Sequence, residues 1–218
     1  TNCLHSFQRA TRCLMRAFGL HFSRATALRA RIFQRPNLQQ RFATMDKSVT
    51  YKFGPHPIPG SHVFALTDLS YGFVNLKPVV PGHVLVSPKR QVKRFADLSP
   101  EEVSDLWLLA QRIGRVVEGR YGAQSLTLAI QDGPMAGQTV PHVHIHILPR
   151  KAGDFPKNDE VYDAIDQESA EYKKAVSSNS NHSSGGGQPE KLDLDKERRL
   201  RTDEEMAEEA DVLRALLL

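Results

Sequence analysis

Cysteine is almost absent from this sequence: there are 2 in 218 residues, Cys3 and Cys13. Both lie in the N-terminal segment, so the chain beyond it can form neither an internal disulfide nor a thiolate metal site. No apolar run approaches the roughly 20 residues that a membrane-spanning helix needs. These absences favour a soluble protein that folds in a reducing compartment without a structural metal.

Acidic residues are missing from residues 1–45, which hold eight Arg and no Lys. The remaining residues carry 21 basic and 25 acidic side chains, so the formal net charge of +4 gives no reason to expect nucleic-acid binding. An Arg-rich, acid-free segment that is amphipathic on a helix is typical of a mitochondrial targeting sequence. Two alternatives stay open: a disordered basic arm, or translation that starts at Met45 and gives a cytoplasmic protein.

We divide the chain into a leader at 1–45, an α+β catalytic domain at 46–165, a partly disordered linker at 166–200 and a C-terminal helix at 201–218. The linker includes a stretch rich in Ser, Asn and Gly at 177–189. Within the domain, short β-prone runs separated by Pro and Gly predict antiparallel strands. These runs are 62–66, 71–75, 83–87, 125–131 and 140–148.

Two helices have clear start signals. Ser99 and Glu102 form a capping box before a long run with apolar residues at three- and four-residue spacing, which should pack one face on the sheet. Thr202 and Glu205 form a second capping box before the C-terminal helix, which should dock on the domain. A further, polar helix is expected over 159–175.

Three histidines alternate with apolar residues in the run His-Val-His-Ile-His at 142–146. On a strand, alternate side chains share a face, so the histidines should lie about 6.6–6.8 Å apart while the apolar residues enter the core. Chance surface histidines, a metal site and nucleophilic or acid–base chemistry are the three interpretations. A metal site is disfavoured because no cysteine is near and alternate strand positions splay apart. Neutral imidazole is a competent nucleophile near pH 7, which favours the chemistry.

The loop before these histidines suits an anion. Gly133, Gly137, Gln138 and Thr139 form a turn that can aim backbone N–H groups and a hydroxyl at phosphate oxygens. A Gly-rich turn is weak evidence alone. Followed directly by three histidines, it indicates a nucleotide-phosphate site.

The same stretch resembles the fragile histidine triad (Fhit) branch of the histidine triad superfamily. The segments that carry the resemblance are QDGP at 131–134, AGQTV at 136–140, HVHIHILPRK at 142–151, GDF at 153–155, PVVPGHVLV at 78–86 and, more loosely, FGPH at 53–56. The resemblance covers roughly residues 50–165, with a weaker match at the C-terminal helix. It implies a five-stranded antiparallel sheet with one long helix and a C-terminal helix, and a homodimer whose two sheets join into one of ten strands.

The resemblance also implies a bis(5′-adenosyl)-triphosphatase, which cleaves diadenosine triphosphate to AMP and ADP. His144 matches the nucleophile, which attacks the α-phosphorus and forms an adenylyl-histidine that water hydrolyses. His146 matches the residue that stabilises the phosphate charge, and His142 the outer member of the triad. His83 matches a histidine that supports the site, and Gln138 a glutamine beside the bridging oxygen of the leaving group.

Further substrate contacts are implied by the same resemblance. They are His56, Asn75 at the ribose, Gln131, Gly137, Thr139 and Val140, together with Gln138 and His146. Tyr162 matches a tyrosine in a mobile family loop, although packing of a helix explains it equally well. No protein-bound cofactor or metal ligand set is expected, and any Mg²⁺ or Mn²⁺ should sit on the substrate phosphates. The expected partners are a dinucleoside polyphosphate, or another adenylylated small molecule, and a second copy of the chain, with neither nucleic acid nor membrane.

Two other functions stay open. Adenylylsulfate or nucleoside phosphoramidate hydrolysis could use the same nucleophile, because His144 would touch only the AMP half that these substrates share. Alternatively, the protein could be a signalling module in which the bound dinucleotide is the message. The first alternative differs from diadenosine triphosphate hydrolysis in the leaving group. In the second, the bound complex and not the hydrolysis would be the biological output.

Overall fold

The computed structural model describes residues 46–168 and 200–217. The predictions for the leader at 1–45, for the stretch at 177–189 and for the second half of the helix at 159–175 lie outside these residues. All described residues belong to one compact unit. Among them, no helix is both long enough and apolar enough to cross a membrane.

In the described part of the chain, seven strands form two sheets. A hairpin of β1 (Thr50–Phe53) and β2 (His56–Pro59) stands apart from a five-stranded antiparallel sheet, in which the strand order is β3-β4-β5-β7-β6. The predicted five-stranded antiparallel sheet is therefore confirmed. Its strands are β3 (Val63–Leu66), β4 (Ser70–Val74), β5 (Val84–Pro88), β6 (Ser125–Ala129) and β7 (Ile145–Arg150).

Over residues 46–168 and 200–217, three α-helices accompany the sheet: α1 (Pro100–Tyr121), α2 (residues 160–168) and α3 (Asp203–Leu217). Both predicted capping boxes are present. The Glu102 N–H donates to Ser99 Oγ while the Ser99 N–H donates to the Glu102 carboxylate, and Thr202 and Glu205 make the same exchange. Each box satisfies N–H groups that a helix start otherwise leaves unpaired.

The two faces of the sheet have different partners. Helices α1 and α3 pack on one face through a cluster that includes Leu109, Ile113, Val86, Ile145 and Ile147. The opposite face packs against the β1–β2 hairpin, through the cluster Phe53, Val63, Leu66, Tyr71, Phe73, Leu85 and Val140. Because side chains alternate along a strand, the face that carries the hairpin also receives the histidine side chain of β7.

The predicted strand at 140–148 begins five residues later than expected, at Ile145. Pro141 has no N–H to give to a strand ladder, and the His142 N–H bonds back to the Val140 carbonyl at 2.7 Å. His142 and His144 therefore precede β7, and the prediction that all three histidines lie on one strand is wrong. The predicted strand at 125–131 also ends earlier, at Ala129.

Candidate active site

His144 presents one ring nitrogen to a cavity. Its Nδ1 lies 2.7 Å from the His142 carbonyl oxygen, which can only accept, so Nδ1 carries the proton. Nε2 therefore holds the lone pair of the neutral ring. Phe53 meets the ring edge-on with centroids 4.9 Å apart, which fixes its plane. The side chain is 4% exposed and lines the cavity, as a nucleophile must.

His142 uses both of its ring nitrogens within the protein. Its Nδ1 accepts the Gly54 N–H at 3.1 Å, so Nε2 carries the proton and donates to the Arg90 carbonyl at 3.1 Å. The ring has no free lone pair for a metal ion, and it does not line the cavity. His142 is a positioning residue in this geometry, because its ring fixes the backbone whose carbonyl orients His144.

A chain of hydrogen bonds sets the proton position on His146. The Val79 N–H donates to His83 Nδ1 at 3.2 Å, so His83 Nε2 carries a proton and donates it to His146 Nδ1 at 3.0 Å. His146 Nε2 must then be the protonated nitrogen. Within the described residues this buried N–H has no acceptor. It lies on the cavity as an N–H donor suited to an incoming anion.

Burial keeps these histidines uncharged. Desolvation lowers the pKa of His83 to about 3 and that of His144 to about 4, and it holds the pKa of His146 well below 6.5. The neighbouring histidines lower the pKa values further because their charges would repel. At neutral pH the site therefore offers a neutral nucleophile beside a neutral N–H donor.

We expect acid to destabilise the fold as the pH falls from about 6.5 towards 4. Unfolding restores the ordinary histidine pKa of 6.5, whereas burial lowers the pKa of His83, His142, His144 and His146. In this window the unfolded chain binds more protons, so the free energy of unfolding drops by up to about 1.4 kcal/mol per pH unit for each such histidine. Urea unfolding between pH 5 and 8 measures it. An unfolding free energy that stays constant over this range would contradict buried, neutral histidines.

The cavity has a volume of about 500 Å³, within the usual range for small-molecule sites. Its lining combines apolar side chains with polar ones: Phe53, Ile58, Phe73 and Leu85 with His144, His146, Asn75, Thr139 and Glu168. A ligand that joins a flat apolar ring to charged and hydroxylated groups suits such a lining.

The cavity wall contains only some of the residues singled out from the sequence. Those that line it are His56, Asn75, Thr139, Val140, His144 and His146. His83 lies behind the wall, where it supports His146. Tyr162 is 53% exposed and lies away from the cavity.

Gln131, Gly137 and Gln138 hold the loop together instead of lining the cavity. Gln138 accepts the Gly133 N–H at 3.1 Å and donates to the Lys93 carbonyl at 3.0 Å. Gln131 donates to Asp166 of α2 at 2.5 Å. Gly137 has a φ of +86°, and a Cβ there would lie 2.6 Å from Gln131 Nε2, so a glycine is required. Their roles at the substrate stay predictions.

Sequence reasoning missed the C-terminal part of the cavity wall, formed by Glu168, Leu200, Asp203 and Met206. Arg201 anchors this part, because its N–H donates to the Leu76 carbonyl at 3.0 Å and its guanidinium donates to the Asn75 carbonyl at 3.3 Å. The same guanidinium pairs with Glu209 at 2.5 Å. Nothing in the local sequence pattern could have indicated contacts between residues so far apart.

Comparison with known proteins shows that the chain is similar to members of one family. The model of the HIT domain family matches residues 59–153. The bifunctional bis(5′-adenosyl)-triphosphatase/adenylylsulfatase Fhit of Arabidopsis thaliana is 55% identical over 167 residues, which is 77% of this chain and 84% of that protein. A bis(5′-adenosyl)-triphosphatase of Dictyostelium discoideum is 58% identical over 121 residues, covering 56% and 80%.

Solved structures give the same grouping. The NitFhit protein of C. elegans aligns with a TM-score of 0.56 at 40% identity, over 78% of this chain and 31% of that chain. The Plasmodium falciparum diadenosine triphosphate hydrolase, solved with cyclomarin A, aligns with a TM-score of 0.50 at 37% identity, over 62% and 90%.

Proposed function

Because this chain belongs to the Fhit branch of the histidine triad family, we propose that it hydrolyses diadenosine triphosphate to AMP and ADP. One observation carries the proposal: a neutral His144 turns its lone pair towards a cavity that also receives the buried N–H of His146. A nucleophile beside a fixed N–H donor is what displacement at phosphorus requires. The apolar side chains that line the same cavity suit the adenine base.

In the first step, His144 Nε2 attacks the α-phosphorus. The bond from that phosphorus to the bridging oxygen breaks, and ADP leaves with the electron pair. The His144 ring becomes an adenylyl-imidazolium. The His142 carbonyl stabilises its positive charge, because Nδ1–H already donates to that oxygen. His146 Nε2–H donates to a phosphoryl oxygen as charge accumulates there.

In the second step, water attacks the same phosphorus and the P–N bond breaks. The electron pair returns to His144 Nε2, AMP leaves, and both protons of the water pass to solvent, the second as the AMP phosphate ionises. The balance is diadenosine triphosphate and water in, and AMP, ADP and two protons out. Any Mg²⁺ would sit on the phosphates of the substrate, since this ion prefers phosphate oxygens and water.

A second activity has a specific observation in its favour, because the Arabidopsis relative is also named an adenylylsulfatase. The attacking group meets only the AMP half, so sulfate can replace ADP as the leaving group. The test is AMP release by the purified chain from diadenosine triphosphate, adenylylsulfate and adenosine phosphoramidate, each ranked by kcat/KM. Highest kcat/KM with the dinucleotide supports the proposal, and no AMP release from it overturns the proposal.

We also propose that two copies pair along strand β6. Within the described residues this strand is an edge of the sheet. It exposes Leu128 (41%), which lines one surface groove together with Trp107 of α1 (36%). An uncovered edge beside an apolar patch favours pairing with another strand.

Leu128→Asp should therefore convert a dimer into a monomer, because it would place a charge in the proposed interface. Sedimentation velocity measures the mass. Val212→Asp is the matched control, since Val212 is an exposed apolar residue of α3 (43%), away from the β6 patch, and this variant should stay dimeric. A wild-type monomer, or a Leu128→Asp dimer, would contradict pairing along β6.

A further inference from the structure

Glu168, the last described residue of α2, has a carboxyl group on the cavity wall that the mechanism above does not use. The residue is 8% exposed, and within the described residues its Oε2 has no hydrogen-bond partner. Burial raises the pKa of this carboxyl to about 7, against the opposing effects of Asn75 and Lys77. A buried acceptor without a donor is costly, and a ligand that brings donors would remove the cost.

The neighbouring Asn75 is already occupied by the protein. Its Oδ1 accepts the Lys77 N–H at 3.0 Å, and its Nδ2 lies 3.3 Å from His83 Nδ1. The same side chain also hydrogen bonds to the Glu168 carboxyl. Among the described residues, Glu168 Oε2 is a buried acceptor of this cavity that has no donor.

The place of Glu168 relative to the reacting group follows from a series of contacts. His146, which would hold the phosphate, bonds to His83 at 3.0 Å, His83 lies next to Asn75, and Asn75 bonds to Glu168. Glu168 is thus linked to His146 through two side chains, His83 and Asn75, and both Glu168 and His146 line the cavity. In an adenosine nucleotide the group next to the α-phosphate, and between it and the base, is the ribose.

We propose that Glu168 binds the ribose hydroxyls of the attacked nucleotide and makes the site selective for ribonucleotides. Above its pKa of about 7 the Glu168 carboxylate is ionised and only accepts hydrogen bonds, and the 2′- and 3′-hydroxyls supply two adjacent donors. A phosphate would be repelled at this position, whereas a neutral diol is not. The proposal rests on the proposed function, because it assumes that a nucleotide is attacked by His144.

The test compares two ligands on the full chain. Calorimetry at pH 8, above the pKa of the Glu168 carboxyl, measures the binding of AMP and of 2′,3′-dideoxy-AMP to the wild type, to Glu168→Gln and to Asp163→Asn. Gln keeps the shape of Glu but exchanges an acceptor for a donor. Asp163 is an exposed acidic residue of the same helix, so its variant controls for a general change in charge.

We expect the wild type and Asp163→Asn to bind AMP roughly 10- to 100-fold more tightly than dideoxy-AMP, as for hydrogen bonds to a charged group. Glu168→Gln should lose most of that preference and bind dideoxy-AMP as well as the wild type does. Equal binding of the two ligands by the wild type, which needs no variant to fold, would overturn the proposal. So would an unchanged preference in Glu168→Gln.

Failure of the proposed function gives a different result. If the chain binds AMP with a Glu168-dependent preference but releases no AMP from diadenosine triphosphate, the ribose site stands and the proposed hydrolase activity is overturned. If the chain hydrolyses the dinucleotide but shows no preference for AMP over dideoxy-AMP, the proposed hydrolase activity stands and the proposed role of Glu168 is overturned.

Discussion

Replacing His144 with Asn should lower kcat for diadenosine triphosphate by about 10⁴-fold or more, the scale on which loss of a covalent nucleophile acts. Asn has no ring nitrogen to attack phosphorus. The interaction that is lost belongs mainly to the transition state, so the binding of AMP should change little. Rates of AMP release and calorimetric binding of AMP measure the two quantities.

The urea midpoint of the same variant is its control for folding. A midpoint close to that of the wild type assigns the loss of rate to chemistry. If His144→Asn kept a rate within tenfold of the wild type while remaining folded, another group would be the nucleophile.

The second large effect is expected at His146, whose N–H is set by the series from Val79 through His83. His146→Leu should lower kcat by about 10²–10³-fold, as loss of one donor to a developing phosphoryl charge does elsewhere. His146→Gln places an amide N–H in about the same region and should recover part of the loss. Single-turnover rates with both variants measure the difference.

The comparison between Gln and Leu distinguishes donation from packing. Both side chains fill space beside Leu85, the cross-strand partner of residue 146, but only Gln can donate. Equal rates for the two variants would contradict the role of His146 as a hydrogen-bond donor.

Local patterns predicted much of the fold. The capping boxes at Ser99 and Thr202 gave the starts of both long helices, because a cap depends on residues only three positions apart. Alternation correctly placed Ile145 and Ile147 in the core and His146 on the opposite face. Period-two patterning is local in the same sense.

The errors arise where tertiary contacts determine the start of a strand or the direction of a side chain. Pro141 delays the start of β7, and His142 turns its ring to Gly54 and Arg90, which are distant in sequence. The side chain of Gln138 closes its own loop, a direction that no spacing rule gives. Such contacts depend on where other segments pass.

Some residues of the candidate site could be predicted from the sequence and others could not. The run of histidines and the resemblance indicated His144 and His146, and the structure gives both a place on the cavity. Glu168 could not be chosen among the many acidic residues of the chain, since its only distinction is burial against Asn75. Arg201 likewise gains its importance from a contact with the Asn75 carbonyl, 126 positions away.

The covalent path through His144 is tested most directly by the stereochemistry at the attacked phosphorus. The substrate is a diadenosine triphosphate with a chiral α-phosphorothioate, hydrolysed in ¹⁸O-labelled water, and the configuration of the AMP thiophosphate product is measured. Two successive in-line displacements, first by His144 and then by water, predict retention of configuration. Inversion would show a single displacement by water and would contradict an adenylyl-His144 intermediate.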